Sequence, residues 1–266
     1  MTKQTSWFET AVTELADPQD QRVWSIIVSL FGDMAQDPGA QISGSALTRI
    51  IEPMGIKPEA IRVALHRLRK DGWIDSNRIG RVSRHVLSEF GRTQSAAVTP
   101  RIYARGSTPA GRWHLLIAED GKTQVLEDVM LNHDYTPISR GAALGPGSAP
   151  DQWDGLLALD IAPRAAPAWL KDRLCPQDLR TSCQALLDAV ENATRTRPDG
   201  WSPTPLQSAT LRTLLVHRWR RVVLRQPDLP EVFYPPDWVG PACRDRVFDL
   251  LDVLPRPPAE TLSGSG

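Results

Sequence analysis

A chain of 266 residues with 31 Lys and Arg against 31 Asp and Glu is neutral overall, so any attraction to a polyanion has to be local. Its 41% hydrophobic and 23% charged residues are the composition of an ordinary globular protein with room for two or three small domains. No apolar run approaches a membrane span and no basic-then-apolar leader opens the chain; with three cysteines and no C-x-x-C pair, a cytoplasmic protein without disulfide framework, zinc site or cofactor is expected.

Trp7, Phe8, Val12 and Leu15 recur at helical spacing and predict a short lead-in helix. Asp17-Pro18 offers an N-cap and an N1 proline for a second helix, lined inside by Val23, Trp24, Ile27, Leu30 and Phe31. Ser43 caps a third, with Leu47, Ile50, Ile51 and Met54 on one side, and Pro53 ends it. Gly55-Ile56 supplies a tight turn, and Pro58 opens the next helix. Helix, short glycine turn, helix is the helix-turn-helix arrangement.

On that last helix Ile61, Ala64, Leu65 and Leu68 fall on one side and should face a core. The opposite side collects Glu59, Arg62, Val63, His66, Arg67 and Lys70. A helix in the major groove needs this partition, with an apolar back and polar or cationic side chains that reach base edges. Glu59, Arg62, Val63 and His66 are therefore expected to face bases, and Arg67 and Lys70 phosphates. After Gly72, residues 73–75 and 82–87 read as a hairpin carrying Arg78, Arg81 and Arg84. Between Pro58 and Arg92 eight basic residues stand against four acidic ones, a local excess in a neutral chain. A solvated amphipathic helix beside a charged hairpin would show the same pattern.

Residues 93–111 are polar and read as an extended linker. Residues 112–118 and 154–161 are the better strand candidates, and 135–138 and 141–144 weaker ones; a weak helix runs from Val125 to Leu131. Strands and one or two helices in so short a span predict a small ferredoxin-like α+β module over 112–164. From Ala165 the pattern is helical, with the strongest helix from Thr204 to Arg225 and a last one striped by Val247, Leu250, Leu251 and Leu254. Residues 256–266 are expected to be a disordered tail. The predicted whole is α+β and multidomain: a winged helix-turn-helix over 1–92, the small module, and a helical C-terminal domain over 165–255.

Two motifs carry a family resemblance. FGDM at Phe31–Met34, followed by SALTRIIEPMGIKPEAIRVALHRLRKDGWI, is similar to the start of the PaaX family of phenylacetate-operon repressors. LLVHRWRRVVLRQPDLPEVFYPPDWVG, Leu214 to Gly240, resembles a second stretch of that family, with Trp219 where the family has Tyr and Phe233-Tyr234 in place of a Leu pair. The resemblance implies a homodimeric, cytoplasmic regulator, mostly a repressor of aromatic-acid catabolism, that binds a double-stranded operator and releases it when an aryl-acyl-CoA such as phenylacetyl-CoA binds.

His217, Arg218, Trp219, Arg220 and Arg221 sit together on the strongest helix, where guanidinium forks and an imidazole could hold CoA phosphates. The alternative is a solvated face paired with Asp228, Glu231 or Asp237. Two other functions compete with the regulator: a CoA-binding or protein-interaction scaffold, and a metal-dependent nuclease using Glu119-Asp120 and Asp160. The second is weak, because Asp-Gly at a strand end is ordinarily a turn. No phosphate loop or nucleophile elbow is present, so no enzyme is expected.

Overall fold

A computed structural model of the chain describes residues 3–17, 22–80, 82–106, 111–132, 135–149, 151 and 155–263. In chain order the elements begin with α1 (Lys3–Leu15), α2 (Val23–Met34), β1 (Ile42–Ser43), α3 (Gly44–Ile51), α4 (Pro58–Lys70), β2 (Ile74–Ile79), β3 (Val82–Leu87) and α5 (Glu89–Ile102). Then follow β4 (Trp113–Ala118), α6 (Gln124–Asn132), β5 (Thr136–Ser139), β6 (Ala142–Pro146), β7 (Leu156–Ile161), α7 (Ala168–Leu174), α8 (Gln177–Arg195), α9 (Pro205–Val223), α10 (Gly240–Asp252) and α11 (Ala259–Ser263). The chain is thus mixed α and β with two antiparallel sheets, as the class assignment expected. Among the described residues no helix is long and apolar enough to cross a membrane.

The contacts divide into two units, and the division is not the expected one. Residues 182–224 and 239–266 belong with 1–105, while 225–238 belongs with 106–181. A separate helical domain over 165–255 does not form. The reason lies in α9, which buries nearly its whole circumference: Ser208 through His217, then Trp219, Val222 and Val223. A helix buried all round cannot be the outer layer of its own small bundle; it is the axis of a larger one. In the first unit α9 packs against α1, α2, α3, α5 and α10.

Local sequence explains most of that unit. The Ser43 hydroxyl accepts the Ala46 N–H at 3.1 Å and starts α3, as its position predicted. A one-turn 3₁₀ segment over Glu52–Met54 ends at Gly55, whose φ of 80° only glycine adopts without strain, and Pro58 takes N1 of α4. β2 and β3 pair antiparallel from Ile74↔Leu87 to Ile79↔Val82, and β1 adds to β3 through Ile42↔His85, so β3 is the central strand of three. A two-residue strand such as β1 carries no readable period.

Three local expectations fail. α2 begins at Val23, with Arg22 at the cap position, so Pro18 is not its first residue; residues 18–21 lie outside those described. Residues 93–102 of the supposed linker belong to the helix α5, started by Ser88 accepting the Gly91 N–H at 3.0 Å. It shows Ser95 and Ile102 to the core and otherwise little apolar surface, so period alone missed it. In the supposed disordered tail, α11 buries Leu262, and Arg256 reaches Asp33 at 3.3 Å; residues 264–266 lie outside those described.

The second unit holds a four-stranded antiparallel sheet in the order β5-β6-β4-β7. α6 covers one face with Leu126 and Val129 against Leu116, Ala118 and Ala143. Buried His114 on β4 has Nε2 at 2.9 Å from the Tyr135 hydroxyl and Nδ1 at 3.2 Å from the Gly147 carbonyl. On the edge strand β7, Leu157 and Leu159 stay 56% and 42% exposed.

Candidate nucleic-acid interface

α4 carries the site because its two faces separate cleanly. Ile61, Ala64, Leu65 and Leu68 are buried, and Glu59, Arg62, Val63, His66, Arg67, Arg69 and Lys70 are exposed. Val63 is 69% exposed, an apolar side chain held in water on a cationic face. Such a residue suits the 5-methyl group of thymine better than any phosphate.

The exposed cations are not equally available. Arg62 Nη2 donates to Glu59 Oε1 at 2.7 Å, both side chains remaining mostly in solvent, so the pair is weak and easily opened. Arg67 lies over the Trp24 ring at 5.5 Å and reaches Asp71 at 3.4 Å, which draws it toward α2 and the end of its own helix. His66 and Lys70 are exposed and have no partner among the described residues.

The hairpin beside α4 places its arginines in different settings. Arg78 is exposed, its Nε donating to the Gly80 carbonyl, and Gly80 turns the chain with φ 61°. Arg81 lies outside the described residues. Arg84 is less exposed. It sits half-buried on the central strand, opposite Ser43 and Asn77, with Nε out of reach of solvent. A charge pattern along a hairpin cannot reveal this, because the third strand that covers it comes from residues 42–43.

An open groove between α3, α4 and β3 adds residues that charge counting alone did not single out. Ser45 and Thr48 line it from α3, Arg62 and Arg69 from α4, and Ser83 and His85 from β3. Arg69 is the cation this geometry promotes: its spacing from Arg62 puts both on the same side of α4 two turns apart. Buried His85 has Nδ1 at 2.7 Å from the Ser76 hydroxyl. Burial first, and then the charge of Arg69, push its imidazole below the ordinary value of 6.5, so it is neutral at pH 7.

The cluster on α9 is brought together by the helix but not as a solvent-facing patch. Trp219 is fully buried and its Nε1 donates to the Ile102 carbonyl at 2.8 Å. At ~25 cal/mol per Å² an indole burying roughly 200 Å² contributes about 5 kcal/mol, which makes Trp219 a core anchor. His217 is buried with Nδ1 at 3.2 Å from the Ser29 hydroxyl. Arg218 donates to the Glu14 and Leu15 carbonyls, and Arg221 lies 3.5 Å from Asp17. Trp219 and His217 thus face the core, and Arg218 and Arg221 make contacts within the first unit.

Sequence reasoning also missed the most heavily committed ion pair. Asp33, fully buried, accepts Arg212 Nε and Nη2 at 2.8 Å each and the Tyr103 hydroxyl at 2.7 Å. Burial alone would raise the carboxyl; the hydrogen bonds and charge of Arg212, with Tyr103 and Arg256, outweigh it and hold it below 3.8. Arg212 reads as one more cation on a helix, and nothing in its spacing marks it as buried.

The acidic residues considered for a metal site do not converge. Glu119 follows the last residue of β4 and pairs with Lys122, whereas Asp160 lies opposite His114 near the other end of that strand and accepts the Ala149 N–H. At ~3.3 Å per residue the two ends are roughly 15 Å apart.

Comparison with known proteins bears on the same regions. Residues 22–91 match the model of PaaX-like protein, and residues 177–262 match that of the PaaX-like protein C-terminal domain. Over 255 residues the chain is 30% identical to the transcriptional repressor PaaX of Escherichia coli (strain K12), covering 85% of this chain and 78% of that protein. Uncharacterized protein Rv0674 from Mycobacterium tuberculosis, a solved structure, aligns over 86% of this chain and 94% of its own at 19% identity, with a TM-score of 0.47.

Proposed function

Because the chain belongs to the PaaX-like family, we propose that it is a transcriptional repressor that binds double-stranded DNA through a winged helix-turn-helix: α3 and α4 as the helix pair, β2 and β3 as the wing. The observation that carries this reading is the exposed face of α4, where Arg62, Val63 and His66 stand in water on a helix whose back is anchored in the core. Arg62 and Val63 read base edges; Arg69, Lys70 and Arg78 hold phosphates. Glu59 orients Arg62 by the pair they make in the free protein.

The working form is a homodimer in the cytoplasm, its two α4 helices reading the half-sites of an inverted repeat. Exposed Leu157 and Leu159 on the edge strand β7 support self-association of the second unit, since an apolar edge is stable when covered. The sheet order of that unit supports a ferredoxin-like module with one of its two helices. The operon it controls belongs to aromatic-acid catabolism, with an aryl-acyl-CoA as the releasing effector; by differential affinity such an effector shifts the dimer to a half-site spacing that no longer fits. The buried members of the α9 cluster, His217 and Trp219, act in that scheme as core residues.

A gel shift with DNA from the region upstream of its own gene, at 50 and 200 mM salt, tests the reading. Retarded DNA at low salt and a loss of at least tenfold in affinity at the higher salt are expected. No retardation at either salt rejects it.

A further inference from the structure

The groove between α3, α4 and β3 measures about 590 Å³, room for part of a polymer strand; a bare inorganic anion would leave most of it empty. Its lining holds two cations, Arg62 and Arg69, and no acidic side chain. Arg62 is engaged with Glu59, whereas Arg69 is exposed and has no carboxylate partner among the described residues. The groove thus carries close to one uncommitted positive charge.

Neutral donors gather at one end of it. β3 brings Ser83 and His85 against Gly44: a Cβ built on Gly44 would lie 3.6 Å from His85 Nε2 and 3.8 Å from the Ser83 Cβ. His85 is 6% exposed, with Nδ1 at 2.7 Å from the Ser76 hydroxyl, while Nε2 has no hydrogen-bond partner among the described residues. When Ser76 donates to Nδ1, the neutral ring carries its proton on Nε2, beside the open space that Gly44 leaves. Gly44 is also the first residue of α3. The Ser43 hydroxyl accepts the Ala46 N–H, and the N–H groups ahead of it have no acceptor within the helix. Arg69 stands near enough for its charge to act on the imidazole. A helix start, an imidazole N–H, a hydroxyl and a free guanidinium around one spot make a seat for an anion.

We propose that this end of the groove seats one phosphodiester of a DNA strand, its oxygens on Arg69, the Ser83 hydroxyl and His85 Nε2. A diester carries one negative charge, which one free guanidinium balances; a dianion would bring a second charge with only neutral donors left to meet it. Farther along α4 the wall turns apolar at Pro58, Ile61 and Leu65, which suits the sugar joining one phosphate to the next. The assignment rests on the DNA-reading proposal and deepens it. Bases are read from α4, while α3 and β3 fix where the strand lies. It also gives the missing side chain at Gly44 a purpose, since a methyl group there would cover Nε2.

Two measurements on the full chain test the seat. In the first, the chain labelled at its five histidines is titrated with thymidylyl-thymidine, a single phosphodiester, and with uncharged thymidine, and the imidazole signals are followed by NMR. The His85 signal is the one that His85→Gln lacks. It should shift saturably with the dinucleotide at up to tens of millimolar, stay in place with thymidine, and stay in place with both in Gly44→Ala. In the second, Gly44→Ala should bind a duplex that the wild type retards about tenfold more weakly, with the same loss on its scrambled version, because a backbone contact carries no sequence. No neighbour of the added Cβ comes closer than 3.6 Å, so this variant is expected to fold. If circular dichroism shows otherwise, Ser83→Ala takes its place in both measurements, with a loss of a few-fold. An unmoved His85 signal, an equal shift with thymidine, a variant that binds DNA as well as the wild type, or a loss confined to one duplex overturns the seat. A wild type that retards no duplex, yet shows the dinucleotide shift and its loss in the variant, fails the DNA reading and leaves the phosphodiester seat standing.

Discussion

Asp33 on α2 and Arg212 on α9 stand 179 residues apart in the chain and meet in a two-armed ion pair, both contacts at 2.8 Å, with the carboxylate fully buried. Arg212 also donates to the Leu254 carbonyl at 2.6 Å, and Tyr103 and Arg256 complete the shell around Asp33. Asp33→Asn leaves the guanidinium in the interior without its counter-charge. Such a loss costs about 3–5 kcal/mol, more than swapping the whole pair for apolar residues of similar size. Urea unfolding of Asp33→Asn and of the double variant Asp33→Leu/Arg212→Met should therefore rank the double variant as the more stable.

On the proposed reading, Val63 and Arg69 represent two kinds of DNA contact. Arg62→Ala and Val63→Ala should relax preference at one base position, by about 1–3 kcal/mol for the arginine. Arg69→Ala should weaken all sequences alike and reduce the salt slope by about one unit. Anisotropy titrations on the operator and on a scrambled duplex, over a series of salt concentrations, distinguish the two. Equal losses on both duplexes for Arg62→Ala would move it to the phosphate class.

His85 makes stability depend on pH. Its folded value lies below the unfolded 6.5, so the unfolded chain takes up the proton first. The neutral imidazole's contribution is therefore complete above about pH 6.5 and declines as pH falls below it. Melting temperature should drop between pH 7 and 5, and His85→Gln should show a shallower drop over the same interval. An identical pH profile for the two proteins would assign the loss to other groups.

Gly91 is tied to the turn that follows α4. A Cβ added there would run into the Trp73 carbonyl and touch the Leu87 side chain. Gly91→Ala should accordingly push α5 off the hairpin and cost about 1–3 kcal/mol, read as a lowered melting temperature. The exposed neighbour Phe90→Ala gives the control for losing a side chain without a clash; its ring meets Trp73 edge-on at 5.5 Å.

How much of this was legible depends on where the deciding partner lies. Ser43, Gly55 and Pro58 act on residues a few positions away, and the face of α4 follows from its own period; these read directly from the chain. The mixed α and β class followed. Arg84, Arg212 and Trp219 are settled by segments far off in sequence: β1 over the hairpin, Asp33 under α9, and Ile102 receiving the indole N–H. Arginine is ordinarily a surface residue, so a helix with four of them between 212 and 221 looks half-solvated. Its neighbours bury it instead. α5 was lost for the opposite reason, since a helix with few apolar residues still forms when a capped start and a packed wall hold it.

The first unit gathers residues 1–105 with 182–224 and 239–266, and α9 runs through its middle. A nascent chain leaves the ribosome from its N-terminus, so α2 and α3 are synthesised long before the axis they pack on. Until α9 (Pro205–Val223) emerges, the buried faces of α2 and α3 lack that partner. α4, which packs on α2 and α3, is thus made early and seated on helices that meet their own axis late.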